Sequence, residues 1–131
     1  MAASGLDGWL ADRLHGLAAL PFPLAIMAVA AIAMVATELT SNTATATLLM
    51  PIMAALSKVL AAPPYLLMVP AAVACSCAFM LPVATPPNAI VIGSGRVSAT
   101  QLFTEGVRLN AAAVLVITIL SLTLGRLVLP T

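Results

Sequence analysis

Thr37-Glu38-Leu39-Thr40-Ser41-Asn42-Thr43-Ala44-Thr45-Ala46-Thr47 is a polar island in a very apolar chain. Apolar sequence runs into it from Leu24 and out of it to Leu56. Each unsatisfied polar group at membrane depth costs several kcal/mol. A cluster of hydroxyls, an amide and a carboxylate therefore needs a physical reason, and the reading of the chain turns on finding it.

The surroundings are those of a membrane protein. The chain is 63% hydrophobic and 7% charged, where a soluble domain carries roughly 25% charged residues. Between Leu17 and Gly95 the only charged or His side chains are Glu38 and Lys58. That interval can hold several membrane-inserted elements, since a span needs about 20 residues. A net charge of +1 and 4% aromatics offer neither an electrostatic handle nor stacking platforms for nucleic acid. Cys75 and Cys77 form a Cys-Ser-Cys. On a helix they would point about 200° apart, so they read as small packing residues.

Residues 6–17 place Leu6, Trp9, Leu10, Leu14 and Leu17 at helical spacing. Residues 1–20 therefore read as an amphipathic helix lying at the interface. Pro21 and Pro23 break the chain before residues 21–60. Leu24–Thr40 and Ala44–Leu60 each predict a helix of roughly 25 Å, at about 1.5 Å per residue, short for a full crossing. Meeting at a polar tip, they suggest a re-entrant hairpin. One continuous span of roughly 51 Å would far exceed a core of about 30 Å. Two spans joined by a surface loop remain the alternative.

Residues 61–95 read as a broken span. Tyr65–Ala84 is apolar, and Thr85-Pro86-Pro87-Asn88 cannot continue it but suits the first turn of a new helix. Residues 96–106 read as a polar loop, with Ser98 capping a short turn. Residues 107–131 are the last span, with Arg108 and Asn110 at its start and Arg126 near its end, within snorkelling reach of an interface. The fold class is thus an all-α membrane protein with a re-entrant helical hairpin, a discontinuous transmembrane helix and a final transmembrane helix.

Irregular backbone at membrane depth is tolerated where protein buries it or where it lines a cavity. Discontinuous helices are also how secondary transporters build ion and substrate sites. Helices ending near Thr40 and Ala84 present free carbonyls and partial negative charge, which suit a hard cation such as sodium. Helices starting near Thr43 and Pro87 present N–H groups and partial positive charge, which suit an anion. For any single Thr among Thr37, Thr40, Thr45 and Thr47, packing is the simpler reading. The two breaks together read as a binding site. Glu38 is ionisable at depth and so is functional or paired. A partner on a neighbouring helix is the favoured reading, and Asn88 shares this structural or coupling role.

These motifs resemble those of the divalent anion/sodium symporter family, which carries dicarboxylates, citrate and sulfate. The resemblance rests on Thr-Glu-Leu-Thr-Ser-Asn-Thr-Ala-Thr-Ala at 37–46 and Pro-Val-Ala-Thr-Pro-Pro-Asn-Ala at 82–89. It implies a fragment of an inverted-repeat transporter: the second hairpin, a broken helix and the last helix. It implies a sodium site from Thr37, Thr40, Ser41, Asn42 and Ala84. It implies substrate contacts from Asn42, Thr43, Thr85 and Pro86, with transport by an elevator-like movement of the hairpin unit. The family has two Ser-Asn-Thr signatures and this chain has one. A missing N-terminal part of the transporter, or a homodimer partner, is therefore expected to complete the pathway. The start at Met1, inside what should be a continuing segment, favours truncation.

The expected function is that of a sodium-coupled di- or tricarboxylate or sulfate carrier. Sodium is the coupling ion, a small anion the substrate, and no cofactor or nucleic acid is involved. The expected place is a bacterial inner membrane, multi-pass in the lipid bilayer. The alternative is a small structural or interaction membrane protein whose polar residues only pack helices. It predicts small-residue faces without breaks. An intramembrane enzyme is disfavoured, because no metal or nucleophile–base pattern is present. Charge does not orient the chain: Arg13, Lys58 and Arg126 would share one side, and Arg96 and Arg108 the other.

Overall fold

The computed structural model describes residue 16 and residues 19–128. The expected interfacial helix over residues 1–20 lies almost wholly outside the described residues. So do residues 129–131 of the last span. The described part is helical, with no strand.

Helix α1 is Phe22–Leu39. Pro23 sits in its first turn, where a missing N–H is harmless. The carbonyl of Pro21 accepts from the amides of Leu24 and Ala25. Ala25, Ile26, Val29, Ala30, Ala33, Met34 and Thr37 form its buried stripe, at the three-and-four spacing of one helix face. Thr40 and Ser41 are extended, with ψ of 171° and 135°, and the chain reverses. Helix α2, Asn42–Val59, opens on Ser41, whose hydroxyl accepts the Ala44 amide at 3.4 Å. It continues through Pro51.

The two helices are antiparallel. Ile26 and Val29, early in α1, share a cluster with Met53 and Leu56, late in α2. Ala30, Ala33 and Met34 share another with Ala46 and Leu49 near the start of α2. Ala62 donates to the Ser57 carbonyl, and Ala61 takes a positive φ of 50° to make that turn. Pro63 and Pro64 then lead into α3, Tyr65–Ala74. Its Leu67 and Ala71 complete the first cluster, while Ala74 and Cys75 join the second.

Helix α3 stops ten residues short of the expected end at Ala84. Two causes act together. Pro82 disfavours helix in the residue before it and cannot bond back to Ala78. The amides of Met80 and Leu81 are also claimed by the Glu38 carboxylate, both at 2.9 Å. Residues 75–85 are therefore irregular. Cys75 and Cys77 lie in this stretch as free thiols, not on one helix. Helix α4, Pro86–Gly93, restarts after it with Thr85 as cap and the two prolines in its first turn.

The last helix, α5, is Ala99–Val128. The expected polar loop over 96–106 is thus helical from Ala99 onward, and the helix starts eight residues before Val107. A reciprocal cap fixes this start. The Gln101 amide donates to Ser98 Oγ at 3.2 Å, and the Ser98 amide to Gln101 Oε1 at 2.9 Å. Ser98 caps a long helix, not a short turn. Helix α5 runs against α1, α3 and α4, with Ile117 in the second cluster. Much of its other face, including Leu115, Ile119, Leu120 and Leu124, is exposed. Among the described residues two helices, α1 and α5, are long and apolar enough to cross a membrane.

Candidate functional site

The site is built where the turn between α1 and α2 meets the irregular stretch between α3 and α4. Thr37 is wholly buried, and its hydroxyl faces both the Cys75 carbonyl and the Asn42 side-chain amide. A hydroxyl carries one proton. Thr37 Oγ1 lies 2.8 Å from the Cys75 carbonyl and 2.5 Å from Asn42 Oδ1, so its single proton serves one of these two acceptors. The two polar segments are thus joined by a direct bond between α1 and the end of α3. One residue on, Glu38 is 2% exposed and fastens the same stretch through Met80 and Leu81. It also accepts from Asn110 Nδ2 of α5 at 3.0 Å.

Asn88 holds the stretch from its other end. Its Nδ2 donates to the carbonyls of Ala78 and Leu81 at 3.0 and 2.9 Å. Gly106 of α5 lies against the backbone of Phe79 and Met80. A Cβ there would sit 2.3 Å from the Phe79 carbonyl oxygen. Two amides and two carbonyls of the irregular backbone at 78–81 are therefore bonded from α1 and α4, while α5 packs directly against it. Such satisfaction is what irregular backbone needs in an apolar setting.

An open cleft of about 430 Å³ lies beside this knot, lined by Glu38, Leu39, Thr40, Ser41, Val83 and Ala84. It brings together Thr40, Ser41 and Ala84 of the sodium set. Thr37 and Asn42 are not in its lining. They pair with each other behind it. Thr40 Oγ1 also meets Thr45 Oγ1 and donates to the Ala36 carbonyl. Thr40 and Ser41 bring hydroxyl groups to a lining otherwise made of Glu38, Leu39, Val83 and Ala84.

The expected substrate residues Asn42, Thr43, Thr85 and Pro86 do not line this cleft. Thr43 is exposed on the first turn of α2. Thr85 is spent on capping α4, accepting the Asn88 amide at 3.4 Å, and Pro86 is exposed beside it.

The two helix starts differ in a way the sequence reading did not separate. In α4, Pro86 and Pro87 have no N–H, Asn88 donates to Thr85 Oγ1, and Ala89 to the Thr85 carbonyl. That end carries helix-dipole charge but no spare donor in its first turn. In α2, Ala44 and Thr45 donate to Ser41. Among the described residues nothing accepts the amides of Asn42 and Thr43, so donors for an anion remain there. The carbonyl side also shifts. The helix end lies at Ala74, not Ala84, and the Ala74 carbonyl is taken by the Cys77 amide.

Asn110, Gly106 and the amides of Met80 and Leu81 were not read as site residues. Asn110 was expected at a helix start, near an interface. With α5 beginning at Ala99, it sits three turns in, 7% exposed. A lone Asn followed by Ala111-Ala112-Ala113-Val114 was the available signal.

The sequence matches the model of the sodium:sulfate symporter transmembrane region over residues 1–130. It is 43% identical over 117 residues to the sodium-dependent dicarboxylate transporter SdcS of Staphylococcus saprophyticus subsp. saprophyticus. It is 44% identical over 117 residues to the protein of the same name in Staphylococcus aureus strain USA300. Each match covers 89% of this chain and 22% of the relative. The chain therefore spans about a fifth of the length of these relatives. The family description and the relatives' names are those of a membrane symporter and of transporters. With its signature stretches at 37–46 and 82–89 set side by side in the fold, the chain belongs to the divalent anion/sodium symporter family.

Proposed function

We propose that the chain works as the C-terminal part of a sodium-coupled carrier of small anions, dicarboxylates before sulfate. The observation that carries this is the joining of two helix breaks, at 40–41 and 75–85, around a cleft lined by Thr40, Ser41 and Ala84 among others. A small structural protein whose polar residues only pack helices would need neither break. The names of the relatives favour a dicarboxylate as cargo, and the family description keeps sulfate in view.

In this reading α1 and α2 form a re-entrant hairpin. Each has 18 residues, about 27 Å at about 1.5 Å per residue. Glu38 ties their tip to the irregular middle of the α3–α4 segment. If that segment spans the bilayer, its middle lies at depth, and so does the tip. Thr40, Ser41 and Ala84 would hold sodium at the cleft, with Thr37 and Asn42 shaping it from behind. The Asn42 and Thr43 amides and the Thr43 hydroxyl would take a substrate carboxylate, with Thr85 and Pro86 forming the facing rim. The remaining part of a longer transporter, or a second copy, supplies the other half of the pathway.

The test is sodium-driven uptake of labelled succinate and of sulfate into proteoliposomes holding the full-length transporter with this segment. Succinate uptake that needs sodium is expected, with Thr43→Ala reducing it at least about tenfold through the lost hydroxyl donor and Asn42→Ala by a similar factor through the lost side-chain contact with Thr37 that shapes the cleft. Uptake unchanged in both variants would sink the site assignment.

A further inference from the structure

We propose that Asn110 is a positioning residue for the cation cleft, acting through Glu38 on the backbone that forms the cleft's far wall. The proposal rests on the functional reading just given. The chain of contacts is short. Asn110 Nδ2 donates to Glu38 Oε1 at 3.0 Å. The same Oε1 accepts the Met80 amide, and Oε2 the Leu81 amide, both at 2.9 Å. Two residues beyond Leu81, Val83 and Ala84 line the cleft opposite Thr40 and Ser41.

Three observations favour positioning over packing. First, no Lys or Arg pairs with Glu38 among the described residues; the one ion pair there is the exposed Arg108–Glu105. The carboxylate is held by N–H donors alone, so each donor counts. Second, Asn110 Oδ1 is buried and finds no partner among the described residues. An Asn retained for packing alone leaves that oxygen without purpose, since Leu would fill the space. Its NH₂ group is the part in use. Third, Gly106 lies one turn earlier on the same helix face and lets α5 touch the backbone of Phe79 and Met80. Helix α5 therefore grips the irregular stretch at two successive turns, once by contact and once through Glu38. The cleft is fixed by a helix that contributes nothing to its lining.

The experiment uses the full-length transporter in proteoliposomes, with uptake expressed per inserted molecule. Asn110→Ala removes the donor. Asn110→Asp keeps the shape and sets an oxygen against Glu38, so it serves wherever the alanine variant is poorly made. Both are expected to raise the sodium concentration for half-maximal uptake about tenfold, the scale of one lost charge-assisted bond. The maximal rate at saturating sodium should stay within about threefold. A merely structural defect would lower the maximal rate and leave the sodium requirement in place. Hydrogen exchange supplies a second readout that needs no transport. The amides of Met80 and Leu81 should exchange at least about tenfold faster in Asn110→Ala. A sodium requirement within about twofold of wild type, or unchanged exchange at those amides, overturns the proposal. If the wild type shows no sodium-dependent uptake of dicarboxylate or sulfate, the functional reading fails instead, and the exchange result still decides the positioning.

Discussion

Glu38 is the residue on which the described contacts converge. A carboxylate buried to 2% exposure survives in an apolar fold only when its oxygens are satisfied. Here two amides and one carboxamide do so. Glu38→Gln turns one acceptor into a donor facing the amide of Met80 or Leu81. The expected loss is about 1–3 kcal/mol, the usual penalty of an unsatisfied buried group, seen as a lower melting temperature in detergent. Asn88→Ala leaves the Ala78 carbonyl unpaired and the Leu81 carbonyl with the Ala84 amide alone, and should cost a similar amount by the same measurement. At this scale much was legible. Ser98 announces itself as a cap, whereas Ser41 and Thr85 stand in the sequence as expected ligands and the structure adds that each caps a helix. Glu38 stands out as the only acid between Leu17 and Gly95. Its actual partners were not legible, because backbone amides leave no mark in the residue alphabet.

At the scale of elements, the hairpin helices fall within two residues of their expected bounds, since prolines and caps delimit them. The two misplaced boundaries each have a physical cause. Cys75-Ser76-Cys77-Ala78-Phe79-Met80-Leu81 is apolar and helix-tolerant, and it is unwound by Pro82 just beyond it and by bonds from Glu38, distant in sequence. Residues 99–106 looked like a loop because Thr100, Gln101, Thr104 and Glu105 are polar, yet they are the exposed turns of a capped helix. At 30 residues α5 is about 45 Å long, beyond a core of about 30 Å, so it has turns to spare for water. Ser98→Ala should loosen this start by about 1 kcal/mol, read as faster amide exchange over residues 99–104. The glycines of α5 offer a sharper contrast. Gly106→Ala drives a Cβ into the Phe79 carbonyl, whereas at Gly125 the nearest atom is the Leu66 side-chain Cδ2, 2.8 Å away. A side chain can turn aside and a backbone cannot. Gly106→Ala should lower stability by about 1–3 kcal/mol and Gly125→Ala by clearly less, in parallel thermal melts.

The whole molecule is open on several sides. Leu39, Leu48, Val83, Ile90 and Leu127 are each more than two-thirds exposed, and the outer face of α5 is apolar. A water-soluble chain does not leave such surfaces bare. Expressed alone, the chain should stay with the membrane fraction through alkaline carbonate washing. Release into the supernatant would contradict the membrane reading. What the sequence withheld at this scale is how the breaks are joined. The tip at 40–41 and the stretch at 75–85 are each visible as interruptions, but their meeting depends on buried bonds spanning 42 and 43 residues.

Those long-range bonds set an order of events during synthesis. The carboxylate of Glu38 leaves the ribosome well before Met80 and Leu81 exist to receive it. At about 5–20 residues per second, the interval lasts about 2 to 8 s, and Asn110 arrives later still. Through that time the nascent hairpin carries a carboxyl group without the amides that later satisfy it, which hydrocarbon disfavours. Its first insertion is therefore provisional. The hairpin must wait in the shelter of the insertion machinery, or of helices already made, until the chain behind it delivers the amides that allow it to stay.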